Sequence, residues 1–112
     1  LSTFNQQLIR RIAEYLGIET EFRNASEFNV SGDRVGKLIA MCEMVGTDAY
    51  LSGPAAMDYI TDEFDDIPIE LKWMEYGPYD EYPQRSEPFS HYVSIIDTIA
   101  MIGKSTKQHI FG

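Results

Sequence analysis

Apolar residues recur at spacings of three and four from Thr3 to Leu16, with Phe4, Leu8, Ile12, Tyr15 and Leu16 on one side, which predicts an amphipathic helix. Thr3 with Gln6 fits a capping box, and Gly17 can take the left-handed conformation that stops a helix. Ile18, Thr20 and Phe22 then alternate with Glu19, Glu21 and Arg23, the pattern of a half-buried strand. A second helix is predicted from Asp33 to Val45, with Val35, Leu38, Ile39, Cys42 and Val45 inward, Ser31 or Asp33 as cap and Gly46 as stop. "AYLS" reads as a short strand. Pro54 opens a third helix through "AAMDYITDEF", carried by Met57, Ile60 and Phe64. In "IPIELKWMEY", Ile67, Ile69, Leu71 and Trp73 alternate with Pro68, Glu70, Lys72 and Met74, the clearest strand of the chain.

Helix and strand alternating three times across short connections predict an α/β fold: a mostly parallel sheet flanked by helices, Rossmann-like and three-layered. After Tyr76 the alternation stops. Residues 76–92 are rich in proline and tyrosine and poor in aliphatics, which predicts an ordered irregular loop longer than connections without a purpose. "VSIIDTIAMIG" reads as a final helix, apolar almost all round and hence buried, with Ser94 and Asp97 near its start and Gly103 as its stop. Residues 104–112 read as a loosely held tail. The expectation is one α/β domain over 1–112, opening at Leu1 without Met as a fragment of a longer chain, incomplete at its amino terminus.

Composition narrows the partners. The chain has 112 residues, 44% hydrophobic and 12% aromatic, enough apolar surface to fold. Eighteen acidic against nine basic residues give a net charge of −9, a field that repels nucleic acid and anionic membrane surfaces. No apolar run approaches the roughly 20 residues that span a bilayer, and no basic-then-apolar leader is present, so the expected place is the cytoplasm. The single cysteine, Cys42, falls in the apolar pattern of the second helix and reads as a small core residue.

Candidate chemistry centres on Ser52-Gly53-Pro54. In open α/β sheets ligands bind beyond the carboxyl ends of the strands, where a tight turn before a helix presents N–H groups suited to an anion. Pro54 removes one of those donors, and neither GxGxxG nor GxxxxGK[ST] is present. The plainer reading is a corner: Ser52 caps, Gly53 relieves crowding and Pro54 presets the first turn. Ser52 as a nucleophile lacks the G-x-S-x-G elbow and has only His91 or His109 as a base. Asp62, Glu63, Asp65 and Asp66 lack the spacing of a calcium loop, and no metal site is expected. Tyr76, Tyr79, Tyr82 and Tyr92, with Gln84, Arg85 and His91, either line a pocket for a sugar or base or lie flat as a packed lid. Asp97 completes a cap with Ser94 or reaches into a site, and in either case needs a partner.

The ordered set "TDAYLSGPAAMDYI", a strand ending in "MEY", "EYPQ" and "PFSHYVSIIDTIAMIG" resembles the carboxyl-terminal half of the WbqC-like family. There a "YLSG" segment is followed by "YPQ", a Phe and an "LSILDLLFNCG"-like helix. The likeness extends to "LIRRIAEYLGI" and the surroundings of Arg34, so it covers nearly the whole chain. It implies a role in bacterial surface polysaccharide, chiefly O-antigen, biosynthesis. The matching positions are Arg34, Tyr50, Ser52, Gly53, Tyr59, Tyr82, Pro83, Gln84, Phe89, Ser94 and Asp97. The family's opening "HQPxYxPW" is absent, and "IAMIG" stands where the family has "LLFNCG".

Two functions follow from the resemblance and the residues together. One is a group-transfer enzyme, or half of one, acting on a nucleotide-activated sugar or other polysaccharide precursor. Its ligand residues would be Arg34, Ser52, Gly53, Tyr59, Tyr82, Gln84, Ser94 and Asp97, with no cofactor or catalytic acid or base assigned. The other is a non-catalytic binding module whose tyrosine loop packs on a missing half, a partner protein or a second copy in a homodimer.

Overall fold

A computed structural model describes all 112 residues, and the chain divides into two compact units. One comprises Leu1–Phe22 with Pro78–Gly112, the other Arg23–Gly77.

In the 23–77 unit, helix α2 (Arg34–Val45) starts where the Asp33 carboxylate accepts the Gly36 N–H at 2.7 Å. It stops at Gly46, which takes φ 71°. Strands β1 (Ala49–Ser52) and β2 (Glu70–Trp73) pair in parallel, with Tyr50 opposite Leu71 and Ser52 opposite Trp73. The alternation sends Tyr50, Leu71 and Trp73 into a core built on Val35, Cys42, Ala56, Ile60, Phe64 and Ile69. Tyr50 and Phe64 stack there at 5.7 Å, 10° from parallel. Leu51, on the other side of the sheet, is 59% exposed. Burial pushes the Cys42 thiol above its ordinary value; its own backbone N–H pulls the other way and the neighbouring Glu43 charge adds to the rise.

Two expectations are corrected here. The helix from Pro54 to Phe64 is only a 3-10 turn, Pro54–Asp58, which ends at Tyr59 (φ −139°, ψ −10°). Beyond it the Glu63 carboxylate accepts the Thr61 N–H at 2.7 Å, a local bond that competes with helix and, as its leading cause, holds Glu63 below the usual carboxylate range. The strand expected over Ile18–Phe22 does not form: these residues pair with no strand, and the Phe22 ring lies 5.2 Å under the Arg10 guanidinium. The fold is therefore mixed α/β with a two-stranded parallel sheet, and a three-layer Rossmann-like arrangement would need strands beyond these two.

In the other unit, α1 (Ser2–Leu16) closes at Gly17 (φ 66°), whose N–H and that of Ile18 reach back to Glu14 and Ala13. The expected capping box is absent. The helix begins one residue earlier, without a side-chain cap, and Gln6 instead donates to the Ser2 hydroxyl at 3.1 Å. Ala13 and Leu16 are buried, whereas Phe4 is 64% exposed and Ile9 54%. Residues 74–94 contain no helix or strand. Helix α3 (Ile95–Ile102) is not buried all round: Thr98 is, but Ile96 is half exposed. The expected loose tail is helical, a 3-10 turn at Gly103–Ser105 running into α4 (Thr106–Phe111). Thr106 is fully buried, its hydroxyl without a hydrogen-bond partner.

Candidate functional site

The eight expected ligand residues fall into two sets, one in each unit. Arg34, Ser52, Gly53 and Tyr59 belong to the 23–77 unit. Arg34 is the first residue of α2, and its guanidinium lies 3.6 Å over the Tyr59 ring, just past the 3-10 turn that follows β1. That is a close cation–π contact, made by a side chain that is otherwise exposed. No carboxylate pairs with it, although Arg23–Gly77 carries eleven acidic side chains against four basic ones. The positive end of the α2 dipole falls at the same point, where the Asp33 carboxylate already caps it.

Ser52 ends β1 buried, and its Oγ donates only a long 3.5 Å bond to the Gly53 carbonyl. It does not cap the following turn, as the corner reading expected; Gly53 occupies that position and no side chain caps it. Crowding does not demand glycine there either. Gly53 has φ −70°, open to any residue, and an added Cβ would meet only the Tyr76 hydroxyl at an ordinary 3.9 Å. The missing side chain leaves the backbone of this corner bare.

Tyr82, Gln84, Ser94 and Asp97 belong to the other unit, and three of them converge. The Tyr82 hydroxyl donates to Asp97 Oδ2 at 2.6 Å and accepts from Thr98 Oγ1 at 3.2 Å. Gln84 Nε2 donates to the Ser90 carbonyl at 2.9 Å and toward Asp97 Oδ2 at 3.2 Å, while Gln84 Oε1 accepts the Ser90 N–H at 2.9 Å. One amide thus pairs with both backbone groups of Ser90 and closes residues 84–90 into a loop. Ser94 stands apart as the α3 cap, accepting the Ile96 N–H at 3.2 Å. The expected partnership of Asp97 with Ser94 is limited to a backbone bond; its side chain is held by Tyr82 and Gln84. Tyr82 also meets the edges of Phe89 at 5.1 Å and His109 at 5.3 Å, and Phe89 meets His91 at 4.7 Å.

Sequence reasoning did not assign Ser90, Thr98 or His109. Nothing local marks Ser90 or Thr98, whereas Thr106, His109 and Ile110, spaced three and four apart, carry the helical signal that places His109. No three acidic, histidine or cysteine side chains are arranged to hold a metal ion. No helix is long and apolar enough to cross a membrane.

The WbqC-like protein family model matches residues 1–109. A relative, Uncharacterized protein Rv1507c of Mycobacterium tuberculosis (strain ATCC 25618 / H37Rv), is 30% identical over 111 residues, covering 98% of this chain and 48% of that protein. The chain thus spans about half the length of the curated relative it matches. No solved structure matches. With a match that runs through both units and both residue sets, the chain belongs to the WbqC-like protein family.

Proposed function

We propose that this chain is part of a group-transfer protein of bacterial surface polysaccharide biosynthesis, and that the carboxyl end of β1 and β2 receives the anionic part of a nucleotide-activated sugar. One observation carries the reading: Arg34 is a cation seated on the Tyr59 ring with no carboxylate partner in a strongly acidic unit. A guanidinium fork that no carboxylate pairs with suits a diphosphate, and the Tyr59 ring beneath it restrains the side chain. The bare Gly53 corner beyond β1 adds access. A Rossmann-like three-layer sheet belongs to the same proposal, with further strands adding to the free edges of β1 and β2. The test is thermal unfolding with uridine and deoxythymidine diphosphate-sugars at millimolar concentration. The expected result is a rise in Tm that Arg34→Ala abolishes. No rise with any of them overturns the reading.

A second reading, an interaction module, is favoured by the apolar side chains that α1 leaves in solvent, Phe4, Ile9 and Tyr15. It predicts a concentration-dependent dimer by light scattering, and a monomer at every concentration removes it.

A further inference from the structure

A groove in the Pro78–Gly112 unit is lined by Glu81, Tyr82, Ser86, Glu87, Pro88 and Phe89. Its two sides differ in what they leave available. The Tyr82 hydroxyl already makes its one donation, to Asp97, and accepts from Thr98, so Tyr82 offers a newcomer its ring rather than its polar atom. Phe89, at right angles to Tyr82, makes the second side of an apolar corner. Glu81 and Glu87 are exposed and neither forms an ion pair. Arg85, the nearest cation in sequence, does not line the groove. Ionised carboxylates accept hydrogen bonds and donate none, so beside the aromatic wall stand acceptors that still need donors.

The groove is also held in shape. Gln84 pins both backbone groups of Ser90 at 2.9 Å, which ties the arm carrying Glu87, Pro88 and Phe89 to the segment carrying Tyr82. The bond from Tyr82 to Asp97 anchors that segment to the first turn of α3. An irregular stretch cross-linked in this way loses little entropy when a ligand settles in it.

We infer that this groove binds an amino sugar: a pyranose ring seated in the corner between Tyr82 and Phe89, its C–H face on one ring and its edge against the other, whose hydroxyls and protonated amine donate to Glu81 and Glu87. The ring face answers the aromatic wall, and the positive charge answers the carboxylates. An anionic sugar or a phosphate is repelled from the same place. The inference does not rest on nucleotide binding at Arg34, which lies in the other unit.

The test is an NMR titration of the isotopically labelled chain with three tetrasaccharides: β-1,4-linked glucosamine, glucose and galacturonate. The glucosamine tetramer is expected to shift resonances of residues 81–89 and to bind at least about fivefold more tightly than the glucose tetramer at low salt, the order of effect for two exposed ion pairs. The galacturonate tetramer should leave them unmoved. The double substitution Glu81→Gln with Glu87→Gln, at exposed sites outside the hydrogen-bonded network, should erase the glucosamine preference, while Arg34→Ala should leave it intact. Equal binding of the glucose or galacturonate tetramer, an unaltered preference in the double variant, or no shift at residues 81–89 at millimolar sugar would overturn it. Loss of the nucleotide-sugar effect on Tm with these shifts retained would count against the Arg34 site alone.

Discussion

The two units of this chain reach order by different means. Between Arg23 and Gly77, six buried apolar side chains from α2, the 3-10 turn, the segment after it and the approach to β2 form a continuous core, with Tyr59 packed against it and Ser52 buried. In the other unit the buried apolar residues are few, and the long irregular stretch is fixed by side-chain hydrogen bonds centred on Tyr82, Gln84 and Asp97. Apolar burial is non-directional and tolerates repacking, whereas a polar network depends on each member having its partners. The lesson is that the same rule for placing candidate residues cannot serve both: one candidate set hangs from a packed scaffold, the other is itself the scaffold.

Deletion of a central group in each unit separates the two means. Phe64→Ala in the core should cost about 3–5 kcal/mol. Tyr82→Phe removes only a hydroxyl, yet it leaves Asp97 without its shortest donor and should cost about 1–3 kcal/mol. Chemical denaturation gives the totals. Amide hydrogen exchange shows where each falls: loss of protection confined to residues 78–112 is expected for Tyr82→Phe, and equal losses in both units would dissolve the distinction.

A smaller effect of opposite sign is expected at Thr106. Its buried hydroxyl has no partner, so Thr106→Val keeps the shape and removes the unsatisfied group. Stability should rise by about 1 kcal/mol in the same denaturation experiment. A loss of that size would mean that the hydroxyl is hydrogen-bonded in solution.

The smallest effect concerns Cys42, whose thiol is raised by burial. A group whose folded value lies above its unfolded one, here the ordinary 9.0, contributes stability below pH 9.0 and loses it as pH climbs through the raised value. Alkylation at pH 8 should accordingly be slow until denaturant is added. Prompt labelling of the folded chain would show that the α2 core opens readily.

Much of the 23–77 core was legible, because its helix and strands follow simple periods: Val35 and Cys42 on α2, and Leu71 and Trp73 on β2, face inward as the spacing requires. The same rule failed at Ile18–Phe22, where alternation was present but a partner strand was not, since a strand exists only with something to pair with. It also failed past Pro54, where closely spaced acidic residues and the Glu63 bond to Thr61 offered the backbone an alternative to helix. For the candidate residues, sequence order carried no sign of how they group in space. Tyr82 and Asp97 are fifteen positions apart and meet only through the tertiary fold, and the closeness of Arg34 to Tyr59 likewise has no local signature.

The two-stranded parallel sheet has a further consequence. With only each other as neighbours, β1 and β2 each present an outer row of backbone groups that no strand satisfies, beside the half-exposed Leu51. Such edges template strand exchange between molecules. The eleven carboxylates of Arg23–Gly77 then act as an electrostatic brake on that encounter, keeping like sheets apart in dilute buffer and weakening as salt shortens the reach of their field. That acidity thus sets how crowded and how salty a solution of this protein can become before its own strands find one another.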